Sequence, residues 1–371
     1  MTNGPIRILH VVFSLEAGGL ENGVVNVARA LNPETFCLRV CCLETTGKLA
    51  GRLPPGITVT ALGKPPGFSP VTILRLAKII RAFKPAIVHT HNLGPLIYAC
   101  AARWLAPRFA LLHGEHGMIK PAEMGRFHLW LRRRLHSRCH RVHTVSNALR
   151  DYFIGLGFRA DLMEAVVNGV DDSHFRPANK NEVRRQLALP EAAQVVGMVG
   201  SLYRLKRHRE VLAAFDLIAK DFPQCHLLIV GAGPEQQALQ EQAGRSPAAE
   251  RVHFYGYQAD PRLFYQAMDL LMVASIREGL SNVALEAMAC GVPVLASPAC
   301  GNAEIISPGQ DGFLASMADA QQIAAELRHA LGDASRLSFF GRQARDKVRR
   351  QFSFQRMVEA YASLYRRLHE F

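Results

Sequence analysis

The stretch EGLSNVALEAMACGVPVLAS, residues 278–297, sets Glu278 and Glu286 across what reads as a strand-to-helix turn. A short apolar run at 270–274 precedes it and predicts a buried strand. Ser281 is a suitable N-cap for a helix from Asn282 to about Cys290, with Gly291 past its end and Pro293 beyond. Glu286 then lies about one turn into the helix and Glu278 in the loop before it. The free N–H groups of a helix start suit a phosphate. Carboxylates accept hydrogen bonds from hydroxyls, as on a ribose or a sugar ring, and repel phosphate. The stretch therefore reads as a place where a nucleotide diphosphate and a sugar meet.

Outward from this turn, short apolar runs alternate with amphipathic stretches along the whole chain. Residues 7–13, 37–43, 57–62, 86–90, 109–113, 141–145 and 164–167 read as strands of a first half. Residues 195–199, 226–230, 252–255, 270–274 and 292–296 read as strands of a second. These runs are apolar and β-branched without clean alternation, as in parallel strands buried on both faces. Between them, TILRLAKIIRAF repeats Ile73, Leu76, Ala77, Ile80 and Phe83 at helical spacing. NGVDDSHFRPANKNE, residues 168–182, interrupts the pattern and reads as a linker, with Asp171 and Asp172 in a turn. The last of three closing helical patterns places Met357, Tyr361, Leu364 and Leu368 on one stripe. The expected fold is α/β, with two Rossmann-like doubly wound domains facing a cleft. The first covers 1–170 and the second 171–354, with a helix at 355–371 returning to the first.

Charge divides along the same boundary. Residues 1–170 hold 21 Lys+Arg against 9 Asp+Glu, whereas the rest is nearly neutral within a total of +13. A basic half attracts an anionic partner: nucleic acid, lipid head groups or a phosphorylated substrate. No stretch is long and apolar enough for a membrane span. The N-terminal apolar run contains a His and ends in Glu, and reads as a strand instead of a signal peptide. Cys37, Cys41, Cys42, Cys100, Cys139, Cys225, Cys290 and Cys300 form no C-x-x-C pair and read as reduced thiols of a cytoplasmic protein.

Other motifs follow strands. In VGAGPEQQAL the third fingerprint glycine is replaced by Gln236, so Gly231 and Gly233 read as a tight turn. Gly18 and Gly19 permit close approach of a ligand to the backbone before a helix, or serve a simple strand–helix turn. Arg204, Lys206 and Arg207 after Gly200 could neutralise a diphosphate or form a solvated basic face.

In combination these segments resemble the retaining glycosyltransferases of family 4, which have the GT-B fold. The E-x7-E spacing of the opening stretch, GGLEN, NGVDDSHFRP, VGSLYRLKRH, VGAGPE and GEHG occur in the family's order. The closest resemblance is to exopolysaccharide-associated sugar transferases, on the runs HGEHG and VHTHN. The resemblance implies that Glu286 binds the donor ribose. It implies that Glu278 binds donor-sugar hydroxyls, with Gly279, Leu280, Ser281, Asn282 and Val283 completing that wall. Lys206 would neutralise the diphosphate, Gly18 and Gly19 would approach it, and Tyr257 would lie near the base. His116 would sit at the catalytic centre, with His113 as the rival register and Asn92 on the acceptor side. Where the family often has Arg, this chain has Ser201, which leaves open whether Arg204 compensates. The implied reaction needs no metal and no cofactor beyond the nucleotide-sugar donor. The acceptor would be a glycan or lipid-linked molecule in polysaccharide or lipopolysaccharide synthesis. Another GT-B reaction, such as epimerisation, and a non-catalytic scaffold are the competing functions.

RFHLWLRRRLHSRCHR, residues 126–141, carries six Arg and three His. A wheel groups Phe127, Trp130 and Leu131 with Arg134 and Arg138. A half-buried helix with snorkelling arginines and a groove for a lipid-linked diphosphate both fit this pattern. The expected role of Trp130, Arg132, Arg133, Arg134 and Arg138 is an anionic membrane surface at the inner face of the cytoplasmic membrane. Nucleic acid is not expected, because no recognised nucleic-acid module is present.

Overall fold

A computed structural model describes residues 4–16, 18–299 and 301–370, so Cys300 lies outside the described residues. The other cysteines are unpaired, and all but the half-buried Cys37 are buried. The chain divides into two compact units, Met1–Asn168 with Arg356–Phe371, and Gly169–Gln355.

The first unit holds a parallel 7-stranded sheet of β1 (Ile6–Val12), β2 (Phe36–Cys42), β3 (Thr58–Ala61), β4 (Ile87–His91), β5 (Ala110–Glu115), β6 (Arg141–Thr144) and β7 (Met163–Ala165). Their order is β3-β2-β1-β4-β5-β6-β7. The second unit holds β8 (Gln194–Val199), β9 (Cys225–Val230), β10 (Val252–Phe254), β11 (Leu270–Val273), β12 (Val294–Ala296) and β13 (Gly312–Leu314), in the order β10-β9-β8-β11-β12-β13. Only β13 escapes the sequence pattern, being three residues of GFL between polar loops. All pairs are parallel, so in each sheet the carboxyl ends of the strands lie along one edge. Each sheet reverses its order once, between β1 and β4 and between β8 and β11. A crevice opens at such a reversal because the chain leaves the two strands in opposite directions.

Helices cover the sheets with their apolar stripes. The expected helix at 72–83 runs Pro70–Phe83, started by a bond from the Thr72 N–H to the Ser69 side chain. The C-terminal helix Phe354–His369 buries Met357, Tyr361, Leu364 and Leu368, the expected stripe, and also Tyr365. From Arg356 onward it belongs to the first unit. In the linker, Asp171 Oδ1 accepts bonds from the Ser173 and His174 N–H groups, forming the expected turn.

The glycines of VGAGPE have a backbone reason. The Gly231 N–H donates to the Gly256 carbonyl, and a Cβ on Gly231 would lie 1.9 Å from the Gly200 carbonyl oxygen. A Cβ on Gly233 would lie 2.6 Å from the Leu202 carbonyl oxygen. The two loops clasp each other, with Leu202 N–H donating to Ala232 and Glu235 N–H to Leu202. Gly231→Ala, at φ +146° with no room for a methyl, is expected to cost at least about 2 kcal/mol. Gly244→Ala, at a helical position open on all sides, should gain about 0.5 kcal/mol. Urea denaturation of the two variants checks both; equal midpoints would refute the clasp.

Candidate functional site

In the second unit the reversal between β8 and β11 brings loop 200–207 beside loop 274–281. The Ile276 N–H donates to the Leu205 carbonyl at 2.9 Å and ties them together. That tie sets Lys206 Nζ against Glu278 Oε1 as a mostly buried ion pair. The helix after it runs Asn282–Ala289. Its C-terminus closes as anticipated: Gly291 takes φ +77°, its N–H reaches Met288, and the Val292 N–H reaches Ala287. Its N-terminus differs from expectation. Ser281 stands at the N-cap, but its side chain makes no capping bond and its buried Oγ has no partner. Gly279 and Leu280 are buried, and Gly301 packs so closely that a Cβ there would lie 2.2 Å from the Gly279 carbonyl oxygen. Asn282 and Val283 lie half-buried at the helix start.

Glu286 keeps some exposure along its side chain, but its carboxyl group is surrounded by protein. Tyr265 OH donates to its Oε2 at 2.7 Å. Burial pushes the carboxyl up to about 7; the Tyr265 bond works against this and the Asp260 charge adds to it. Tyr265 is the partner that sequence reading missed, a tyrosine inside an ordinary short helix. Ser201 and Tyr257 are exposed on loops at the same sheet edge, as is Arg204, which makes no ion pair among the described residues. His208 was also missed. It is buried with Nδ1 unpartnered, and burial, then the Lys206 charge, lowers it to about 4.

In the first unit, parallel register sorts the histidines. His10 pairs with His89, His91 with Gly114, and Gly114 with His143, so these residues share one face. His113 and Glu115 point to the other. There Glu115 accepts from Arg132 Nη2 at 2.6 Å and Nε at 3.0 Å, and meets His136 at 2.9 Å and His113 at 3.1 Å. Burial alone would raise the Glu115 carboxyl; the His113 and His136 bonds and the Arg132 charge overcome it and hold the group well below the usual range.

Two expectations are corrected here. Arg132 is 5% exposed and bound to Glu115, so it cannot belong to an exposed membrane face. His113 is fully buried, with Nδ1 on Thr90 and Nε2 on Glu115, so both nitrogens are engaged inside the protein and neither faces an open cleft. His116, half-buried and bonded through Nε2 to His91, keeps Nδ1. Asn92 follows β4 at φ +66°, an uncommon conformation outside glycine, and its side chain makes no cap bond. Gly18 caps the helix Gly19–Ala30, with the Glu21 carboxyl close to the space a Cβ would take. A shared cation could be reached by nitrogens of His91, His116 and His143, or of His10, His89 and His91. These rings are hydrogen-bonded to one another.

The helix Arg126–His136 leaves Phe127 and Trp130 stacked and exposed, with Arg134 over the Trp130 ring. Arg133 and Arg138 are exposed beside them. Trp104, 80% exposed and missed in the sequence reading, borders a cavity of about 600 Å³ with Arg103, Arg108, Arg138 and His140. Among the described residues no helix is long and apolar enough to cross a membrane.

Two family models match: Glycosyltransferase Family 4 over residues 17–174 and Glycosyl transferases group 1 over residues 179–347. The chain thus belongs to the GT-B glycosyltransferases of group 1 and family 4. Its relatives include EpsD of Bacillus subtilis (strain 168), 27% identical over 78% of this chain and 79% of that protein. They also include the capsular polysaccharide biosynthesis glycosyltransferase CapM of Staphylococcus aureus, 26% identical over 61% and 58%. N-acetyl-alpha-D-glucosaminyl L-malate synthase of Bacillus anthracis is 27% identical over 55% of this chain and 53% of its own length. The match thus spans little more than half of the last two. The fold is that of Anabaena Alr3699/HepE, solved with UDP and glucose, at a TM-score of 0.84 and 24% identity over 96% and 98% of the two chains. Sucrose-phosphate synthase of Thermosynechococcus elongatus has a TM-score of 0.83 at 22% identity over 98% and 99%.

With the folded value raised to about 7, the Glu286 proton favours the folded state most below the ordinary carboxyl range. That contribution fades as pH rises toward 7. Tyr265→Phe removes the bond that favours the carboxylate, so the Glu286 titration midpoint should move higher still. Heteronuclear NMR of glutamate carboxyls checks this; an ordinary midpoint for Glu286 would contradict the assigned burial.

Proposed function

We propose that this protein is a retaining, metal-independent glycosyltransferase. It moves a sugar from a UDP- or GDP-sugar to a glycan or lipid-linked acceptor in cell-surface polysaccharide or lipopolysaccharide synthesis. The observation that carries the reading is the arrangement of Lys206, Glu278 and Glu286 around the β8/β11 reversal. Family membership supports it, as do the polysaccharide role in the name of CapM and the UDP-glucose complex of HepE.

In this mechanism Glu286 accepts from the ribose hydroxyls with the oxygen that Tyr265 leaves free. Glu278 accepts from the sugar hydroxyls. Lys206 stabilises the charge that grows on the leaving diphosphate, where a fixed cation accelerates departure most. The acceptor hydroxyl attacks from the face the diphosphate leaves, and a diphosphate oxygen takes its proton. Arg204 supplies the cation that Ser201 does not.

Nucleotide release from a panel of UDP-, GDP- and ADP-sugars tests the reaction; no turnover or binding of any donor would sink it. Glu286→Ala and Lys206→Ala should each cost at least about 2 kcal/mol in donor binding or turnover, roughly thirtyfold. Arg204→Ala should weaken donor binding in the same direction, and a chelator should change nothing.

The exposed aromatics and basic groups of the first unit support an anionic membrane surface as partner, with Trp104 and Trp130 at the lipid boundary. Binding to vesicles containing phosphatidylglycerol should be salt-sensitive and fall on Trp104→Ala with Trp130→Ala. Equal binding to neutral phosphatidylcholine vesicles would refute the partner.

A further inference from the structure

The sheet face beneath the C-terminal helix carries a hydrogen-bonded chain that the proposed transfer leaves unused. His116 Nε2 meets His91 Nδ1 at 3.0 Å, and His91 Nε2 meets His10 Nδ1 at 3.0 Å. His10 Nε2 meets Tyr365 OH at 3.4 Å, and Tyr365 OH meets His89 Nδ1 at 2.9 Å. His89 Nε2 meets His143 Nε2 at 2.8 Å. Gly114 makes this possible: a Cβ there would lie 2.5 Å from His143 Nε2 and 3.0 Å from His116 Nε2.

Burial holds all the rings neutral at physiological pH, His10 and His116 at about 4 and His89, His91 and His143 well below their usual range. A neutral imidazole has one N–H and one acceptor nitrogen, and a phenol one O–H and an acceptor oxygen. A ring that accepts on one side must therefore donate on the other. The links fill when all protons point one way along the chain, in either direction, or when both arms converge on the Tyr365 oxygen. Convergence leaves the buried phenol O–H with no acceptor among the described residues, so the two one-way orders remain.

The two directions differ at the ends. If the protons run from His116 toward His143, His143 must carry its own proton on Nδ1. That atom is buried and has no partner. A buried N–H without an acceptor is the rarer kind of orphan in folded proteins. If they run from His143 toward His116, His143 Nδ1 is a bare nitrogen, and His116 receives at Nε2 and carries its proton on Nδ1.

We propose that the chain is ordered from His143 toward His116, so that His116 presents Nδ1–H as a donor, with Tyr365, His10 and His91 as positioning residues. A fixed N–H suits a sugar or phosphate oxygen and cannot accept the proton of an attacking hydroxyl. The functional meaning rests on the reading of His116 as a site residue; the ordering does not.

Histidine-selective proton–nitrogen correlation NMR on the full chain decides the ordering without any activity. The expected spectrum has His116 protonated on Nδ1 and His143 on Nε2; His116 protonated on Nε2 would overturn the proposal. Tyr365→Phe should release His10 and His116 into tautomer exchange, and unchanged tautomers would overturn the positioning role. His143→Met removes the first donor at the other end and should act likewise, which covers a failure of the tyrosine variant to fold. In UDP-sugar hydrolysis, Tyr365→Phe should lower kcat at least about tenfold with KM nearly unchanged. Inactive wild-type protein would refute the transfer reading and leave the NMR result standing.

Discussion

Parallel strand pairing is the constraint from which both candidate sites follow. Because every pair is parallel, the loops that leave the strands gather at one edge of each sheet. The single reversal of strand order then selects which of those loops meet. In the second unit they are the loops of Lys206 and Glu278. In the first unit, parallel register also fixes the face of each side chain. One residue of shift along β5 separates the Gly114 side, with its histidine chain, from the His113 and Glu115 side. The two polar clusters are thus kept apart by the pleat, and different helices cover them: Tyr361 and Tyr365 of the C-terminal helix on one, Arg132 and His136 on the other.

Backbone contact does much of the fine positioning. Gly231 and Gly233 let two loops touch where side chains would hold them apart, and Gly301 does the same against Gly279. These contacts set the height of the loop that carries Lys206. They also account for the glycine pattern of VGAGPE without a bound dinucleotide. The departure at Gln236 is consistent with that, since Gln236 only opens the helix Gln236–Gly244.

Alternating apolar runs made both sheets legible in the sequence, because buried parallel strands are apolar along their whole length. The turn around Glu278 and Glu286 was legible because cap residues and Gly291 announce a helix locally. What stayed hidden depended on register or on distant partners. HGEHG offers two histidines, and only the pairing of β5 with β4 and β6 shows that His113 points into the Arg132 cluster. Tyr265 and Tyr365 look like ordinary core tyrosines until their hydroxyls are traced to Glu286 and to His10 and His89. Arg132 looked like one more arginine in a basic run, because its partner Glu115 lies on another element.

The charge state of the second unit's site sharpens the role of Arg204. Lys206 is already neutralised by Glu278, and burial raises the Glu286 carboxyl to about 7. A pair with no net charge attracts a diphosphate weakly, because ligand binding must first draw the lysine away from its carboxylate. An additional cation without a carboxylate partner removes that difficulty. Arg204, exposed on the same loop and outside any ion pair among the described residues, meets the requirement. On the proposed reading, Ser201 in place of the family's arginine would amount to a shift of charge along one loop. In the proposed transfer, a diphosphate that takes Lys206 would release Glu278 to the sugar hydroxyls.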